Sequence, residues 1–145
     1  MNLFTIGVSK KSAEEFFSAL GRHKIEKLID IRLNNKSQLL GFSKGIDLEY
    51  FCKKCHDIEY EHMPLFAPTK DILSKYKRDK DWEAYERSYN KLLESRAIID
   101  LFNKAAGKNQ NVCLLCSEPK ADKCHRRLVA DFIARRLNKV KVIHI

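Results

Sequence analysis

Three cysteines, a glutamate, a histidine and an arginine crowd into Cys113-Leu-Leu-Cys-Ser-Glu-Pro-Lys-Ala-Asp-Lys-Cys-His-Arg126. These types suit a metal centre, a reactive thiol, an anion pocket, or plain packing of small sulfurs. Val112 to Cys116 is a continuous apolar run of strand length, and Leu128, Val129, Phe132, Ile133 and Leu137 stripe a following helix. Cys116 therefore ends a strand. Cys124 is expected to open the helix at the second position after an Asp122 cap, its sulfur turned back toward the strand end. The two thiols should approach each other, with Glu118 and His125 nearby. Three outcomes stay open: burial, a low-pKa thiol at a helix N-terminus beside Arg126, or a metal held by Cys116, Cys124 and His125. No fourth metal ligand is evident, so neither a metal ligand nor a cofactor is assigned.

The other cysteine spacings read as structural. Cys52-Lys-Lys-Cys55-His56 has haem-attachment spacing, but that chemistry goes with export, and the N-terminus carries no signal-peptide pattern. Leu48, Phe51, Cys52 and Cys55 share one helix face, which places both sulfurs in the core. Pairing Cys52-x-x-Cys55 with Cys113-x-x-Cys116 as a four-thiolate zinc site is disfavoured. Residues three apart on a strand point to opposite faces.

The elements that must position this stretch alternate between strand and helix. Leu3 to Ile6 is a short buried strand stopped by Gly7. Ser12-Ala-Glu-Glu15 has capping-box spacing, and Phe16, Phe17 and Leu20 face the core of a helix ending near Gly21. Leu28 to Ile31 is a second strand, a polar loop runs from Leu33 to Gly45, and a helix starts near Asp47. Ile58 to His62 is a third strand, ended by Pro64. A short helix is predicted over Lys70 to Tyr76, then two helices, or one bent near Ser95, between Trp82 and Ala105. Val140 to Ile145 closes as a strand. Strands that are apolar throughout and separated by helices specify an α/β domain of three layers. Its sheet is mostly parallel, of about five strands, with helices on both faces, and it spans residues 1–145 as one domain.

Net charge is +9 with pI ≈ 9.4, and apolar content is 44 %. Eight basic residues between Lys120 and Lys141 face only Asp122 and Asp131. Such a balance favours anionic partners. No long apolar run exists, so no membrane partner is expected. Five cysteines without an export signal predict reduced thiols and a cytoplasmic protein.

In parallel α/β sheets the loops after the strands gather at one edge, where ligands bind. Gly7-Val-Ser9, Asp30 with Arg32, Ser117-Glu118 and Cys124-His125-Arg126 all fall in such loops. Helix N-termini favour a negative group, and the arginine fork fits phosphate. Asp30 and Arg32 equally suit a structural ion pair. Neither a Walker motif nor Gly-x-Gly-x-x-Gly occurs, so no nucleotide cofactor is assigned.

Thr5-Ile6-Gly7-x-Ser9, Ile29-Asp30-Ile31-Arg32, Gly41-Phe42-Ser43, Ile58-Glu59-Tyr60-x-His62-x-Pro64, Trp82-x-x-Tyr85-x-x-x-Tyr89, Cys116-x-Glu118 and Cys124-His125-Arg126 follow in that order. Together they resemble the family catalogued as domain of unknown function 488. The resemblance implies a small single α/β domain. It marks Gly7, Ser9, Asp30, Arg32, Cys116, Glu118, Cys124, His125 and Arg126, and passes over Cys52, Cys55 and Cys113. Val8 stands where that family often has histidine.

The expectation is a strand-end pocket for a nucleotide or nucleic-acid phosphate, with a thiol-dependent enzyme as its catalytic form. Cys124, Cys116, Glu118 and His125 would do the chemistry. Gly7, Ser9, Asp30, Arg32 and Arg126 would bind the ligand. The alternatives are a non-catalytic nucleic-acid-binding module using Arg127, Arg135, Arg136 and Lys139, and a metal-binding domain.

Overall fold

A computed structural model describes all 145 residues. Five strands form one sheet: β1 (Asn2–Gly7), β2 (Lys27–Asp30), β3 (Glu59–His62), β4 (Asn111–Cys116) and β5 (Lys141–His144). Their order across the sheet is β3-β2-β4-β1-β5, and every pair is parallel. Six α-helices connect them: α1 (Ala13–Arg22), α2 (Gly45–His56), α3 (Lys70–Asp79), α4 (Trp82–Ser95), α5 (Ile98–Ala106) and α6 (His125–Arg136). No helix is long and apolar enough to cross a membrane.

The three central strands are apolar because both of their faces are covered. One face carries Phe4, Ile6, Leu28, Cys113 and Leu115 against Phe16, Phe17 and Leu20 of α1 and Leu48 and Cys52 of α2. The other carries Leu3, Ile29, Val112 and Leu114 against α4, α5 and α6. Each fully buried Leu, Ile or Phe contributes about 1.5–3 kcal/mol. The expected three-layer α/β arrangement is therefore the one observed.

Local signals explain the element ends. Ser12 accepts from the Glu15 N–H while Glu15 accepts from the Ser12 N–H, the capping box read in the sequence. Between α4 and α5, Ala97 adopts φ 50°, which separates two helices where the sequence allowed one bent helix. Tyr89 is fully buried, and its hydroxyl donates to the Phe66 carbonyl. Arg96 Nη1 donates to the carbonyls of Leu65 and Ala67, both at 2.7 Å. These bonds fix the loop between β3 and α3.

Two expectations are corrected here. Cys55 is exposed, whereas Cys52 on the same helix is fully buried. Leu48 and Cys52 lie four apart on the buried line. Cys55 falls in the last turn, just before the left-handed Asp57 ends α2. Asp122 does not cap α6; the helix begins at His125, and Cys124 itself is the N-cap residue.

Candidate functional site

β1 and β4 lie side by side at the centre of the sheet, and the helices that follow them cover opposite faces. Chains that leave adjacent strands in opposite directions open a crevice at their carboxyl ends. The Gly7 and Cys116 loops meet there. Val8 N–H donates to the Cys116 carbonyl at 3.1 Å, and Ser9 N–H to the Ser117 carbonyl at 3.0 Å. Ser9 is exposed, while Val8 is buried against the α1 side of the core.

Gly7 makes room for a backbone carbonyl. A Cβ there would overlap the Glu118 oxygen and lie 2.8 Å from Arg126 Nη1. That oxygen accepts a hydrogen bond from Arg126 Nη1, and the Pro119 carbonyl accepts from Nη2 at 3.4 Å. Arg126 is 1 % exposed and belongs to no ion pair, and its Nε has no partner. A buried guanidinium without a carboxylate needs negative charge nearby. The nearest candidate is sulfur: Nη1 lies 3.9 Å from Cys124 Sγ.

Cys116, Cys124 and His125 converge. Cys124 Sγ donates to Cys116 Sγ at 3.4 Å, and His125 Nδ1 lies 3.5 Å from Cys116 Sγ. The other ring nitrogen of His125, Nε2, lies 3.3 Å from the Ile31 carbonyl just past β2. The Cys124 hydrogen bond holds the Cys116 thiol below its ordinary pKa despite burial, aided by the Glu118 N–H and the Arg126 guanidinium. Donating that hydrogen bond, together with burial, pushes Cys124 up. The pair shares its protons unequally, and Cys116 is the more acidic sulfur. Sequence reasoning favoured Cys124 in that role because of the helix N-terminus.

Asp30 and Arg32 form a separate buried unit. Arg32 Nε and Nη2 bind the two Asp30 oxygens at 2.8 and 2.7 Å, and Nη2 also donates to the Ser43 carbonyl at 2.7 Å. Tyr60 Oη and Asn35 Nδ2 donate to Asp30 Oδ2 at 2.7 and 3.1 Å. Burial opposes the Asp30 charge, yet the Arg32, Tyr60 and Asn35 bonds hold its pKa below the usual value. Arg32 is 2 % exposed, so an anion could reach it only by displacing Asp30 or Ser43. Its carbonyl bonds His62 Nε2 at 2.8 Å. The unit buttresses the strand end that carries the Ile31 carbonyl.

A cleft of about 380 Å³ opens between α3, α4 and the start of α6. Cys124 and His125 form part of its wall, beside Glu118, Lys123 and the rings of Tyr76 and Tyr85. Lys77 and Lys80, at the end of α3, line it too. These two lysines were not singled out in the sequence. They sit forty-odd residues upstream of Cys124, and the packing of α3 on α4 brings them to the same cleft (Tyr76 and Tyr85 centroids 4.9 Å apart). Trp82 stacks on Tyr85 at 5.1 Å. The basic face of α6 is partly engaged within the molecule. Arg136 pairs with Glu94 at 2.8 Å and covers the Phe132 ring, and Arg127 lies over Trp82.

No curated protein and no solved structure matches this chain. The family model described as "Domain of unknown function DUF488" matches residues 12–133. That span holds the Asp30–Arg32 unit, the cleft lysines and the whole Cys116–Arg126 loop, and it shows that the chain belongs to the DUF488 family.

Proposed function

We propose that this protein binds a phosphate-bearing ligand in the α3–α4–α6 cleft and that the Cys116–Cys124–His125 cluster in its wall is the chemically active element. One observation carries the reading: three lysines, Lys77, Lys80 and Lys123, face the same cleft as Cys124 and His125, with only Glu118 opposing them. The volume falls in the range of small-molecule sites. Tyr76 and Tyr85 offer aromatic surface for a base or ring, and the lysines offer point charges for phosphate. This moves the anion-holding role from Arg32 and Arg126 to the lysines. Arg126 instead supports the sulfur loop, and Arg32 supports Asp30. Ser9 and Gly7 then shape the loop and do not touch ligand. In this reading His125 and Glu118, which line the cleft, give or take the proton.

Trp82, the only tryptophan, stacks on a residue that lines the cleft, so its fluorescence reads occupancy. Titration with pyrophosphate is expected to change Trp82 emission saturably, with affinity falling as salt rises. Replacing Lys77, Lys80 and Lys123 together by alanine should weaken binding about ten- to a hundredfold, at about 0.5–1 kcal/mol per exposed charge pair. A triple variant that binds pyrophosphate as tightly as the native chain would overturn the assignment.

A further inference from the structure

We infer that Cys116 Sγ, Cys124 Sγ and His125 Nδ1 form a three-ligand site for one zinc-class divalent cation, with its fourth coordination position open to the lysine-lined cleft. The inference rests on the cleft reading above for its open position and on geometry for its ligands. All three donor groups lie within 4.8 Å of one another. With Zn–S near 2.3 Å and Zn–N near 2.0–2.1 Å, a tetrahedral centre separates two sulfurs by about 3.8 Å and sulfur from nitrogen by about 3.6 Å. The Cys124–Cys116 and Cys116–His125 separations are 3.4 and 3.5 Å and the Cys124–His125 pair lies within 4.8 Å, so an ion fits once the first two open by a few tenths of an ångström and the third closes toward about 3.6 Å.

The surroundings match what such an ion requires. His125 turns Nδ1 toward the sulfurs and presents Nε2 to the Ile31 carbonyl at 3.3 Å, the outer hydrogen bond that fixes a metal-ligating imidazole. Arg126 Nη1 lies 3.9 Å from Cys124 Sγ and stabilises sulfur as thiolate. Thiolate and imidazole donors select zinc-type ions over magnesium or calcium. In the metal-free chain the Cys124 S–H proton links the two sulfurs, and Cys116 holds the second thiol proton beside His125 Nδ1. One divalent ion replaces those two protons with no change in net charge. Cys124 and His125 face the cleft and Cys116 does not, so the ion's free side looks toward Lys77 and Lys80. An oxygen of an anionic ligand, or a water, completes the tetrahedron there. Glu118 is the carboxylate that lines the same cleft.

Cobalt(II) titration of the metal-free, reduced full chain tests this. One equivalent should bind, with intense tetrahedral d–d bands and a thiolate-to-cobalt charge-transfer band, and zinc should displace it. Cys116→Ser and Cys124→Ser should each weaken cobalt binding at least a hundredfold, whereas Cys55→Ser should leave it unchanged. Should the serine variants fail to fold, the native chain still decides. Zinc must protect Cys116 and Cys124, mapped by mass spectrometry, from alkylation, and must leave Cys55 reactive. Less than a tenth of an equivalent of cobalt bound, or a weak octahedral spectrum without charge transfer, overturns the metal site. Pyrophosphate binding by metal-free protein together with either of those results sinks the metal and leaves the cleft reading standing. Stoichiometric tetrahedral cobalt with no Trp82 response to pyrophosphate does the reverse.

Discussion

Replacing Gly7 by alanine drives a methyl group into the Glu118 carbonyl, the oxygen that accepts from Arg126 Nη1. Neither neighbour can swing aside. Glu118 O belongs to the backbone, and Arg126 is buried between the carbonyls of Glu118 and Pro119. Relief requires the backbone from Cys116 to Pro119 to shift. Overpacking of this kind costs about 1–3 kcal/mol. Weakening the acceptor of a buried charged donor costs about 1.5–3 kcal/mol more. Exchanging a strand glycine for alanine returns about 0.5–1 kcal/mol. The net expectation is a destabilisation of about 2–5 kcal/mol, read as a fall in the urea midpoint of roughly 1–2 M. Trp82 fluorescence reports the transition. Gly21→Ala is the control. The nearest atoms to a Cβ there belong to the ring of the exposed His56, which can move away, and the helix gains up to about 1 kcal/mol. A Gly7→Ala protein with the native midpoint, or a loss equalled by Gly21→Ala, would refute the idea that this glycine exists to seat the carbonyl.

Other predictions concern the buttress of the site. Arg32→Ala strands the buried Asp30 carboxylate and should cost about 3–5 kcal/mol in chemical denaturation; a loss below about 1 kcal/mol would mean the pair is dispensable. Because Asp30 has a depressed folded pKa, its ionisation stabilises the fold above the unfolded value of about 3.9, and the contribution is lost as pH falls through the lower folded value. Asp30→Asn should therefore flatten the acid limb of the stability profile, and an unchanged limb would count against the linkage. Tyr89→Phe leaves the Phe66 carbonyl without its buried donor and should lower stability by about 1–3 kcal/mol in thermal or urea unfolding.

The layer architecture was legible because it is written locally. Ser12 and Glu15 mark a helix start by spacing alone, and the run Val112 to Cys116 announces a strand covered on both faces. The approach of Cys116 to Cys124 was legible too, since only seven residues separate the strand end from the helix start. What stayed hidden depends on acceptors supplied from elsewhere. Charge and type cannot reveal that the Arg126 guanidinium is taken up by the carbonyls of Glu118 and Pro119, or that the Ser43 carbonyl joins Asp30, the ion-pair partner the spacing allowed, in holding Arg32. Lys77 and Lys80 look like ordinary solvated charges until α3 packs on α4. Cys55 looked buried because a stripe at helical spacing says nothing about where the covering element ends.

The position of β1 bears on how the polypeptide comes into being. Its backbone partners are β4, starting at Asn111, and β5, starting at Lys141. During synthesis β1 emerges before either partner, and more than a hundred further residues must follow it before β4 can hydrogen-bond to it. Until then the apolar segment Leu-Phe-Thr-Ile waits with both edges bare, a natural target for a holding chaperone. Nascent chains halted ahead of residue 111 should aggregate or be captured, and those released after 144 should not.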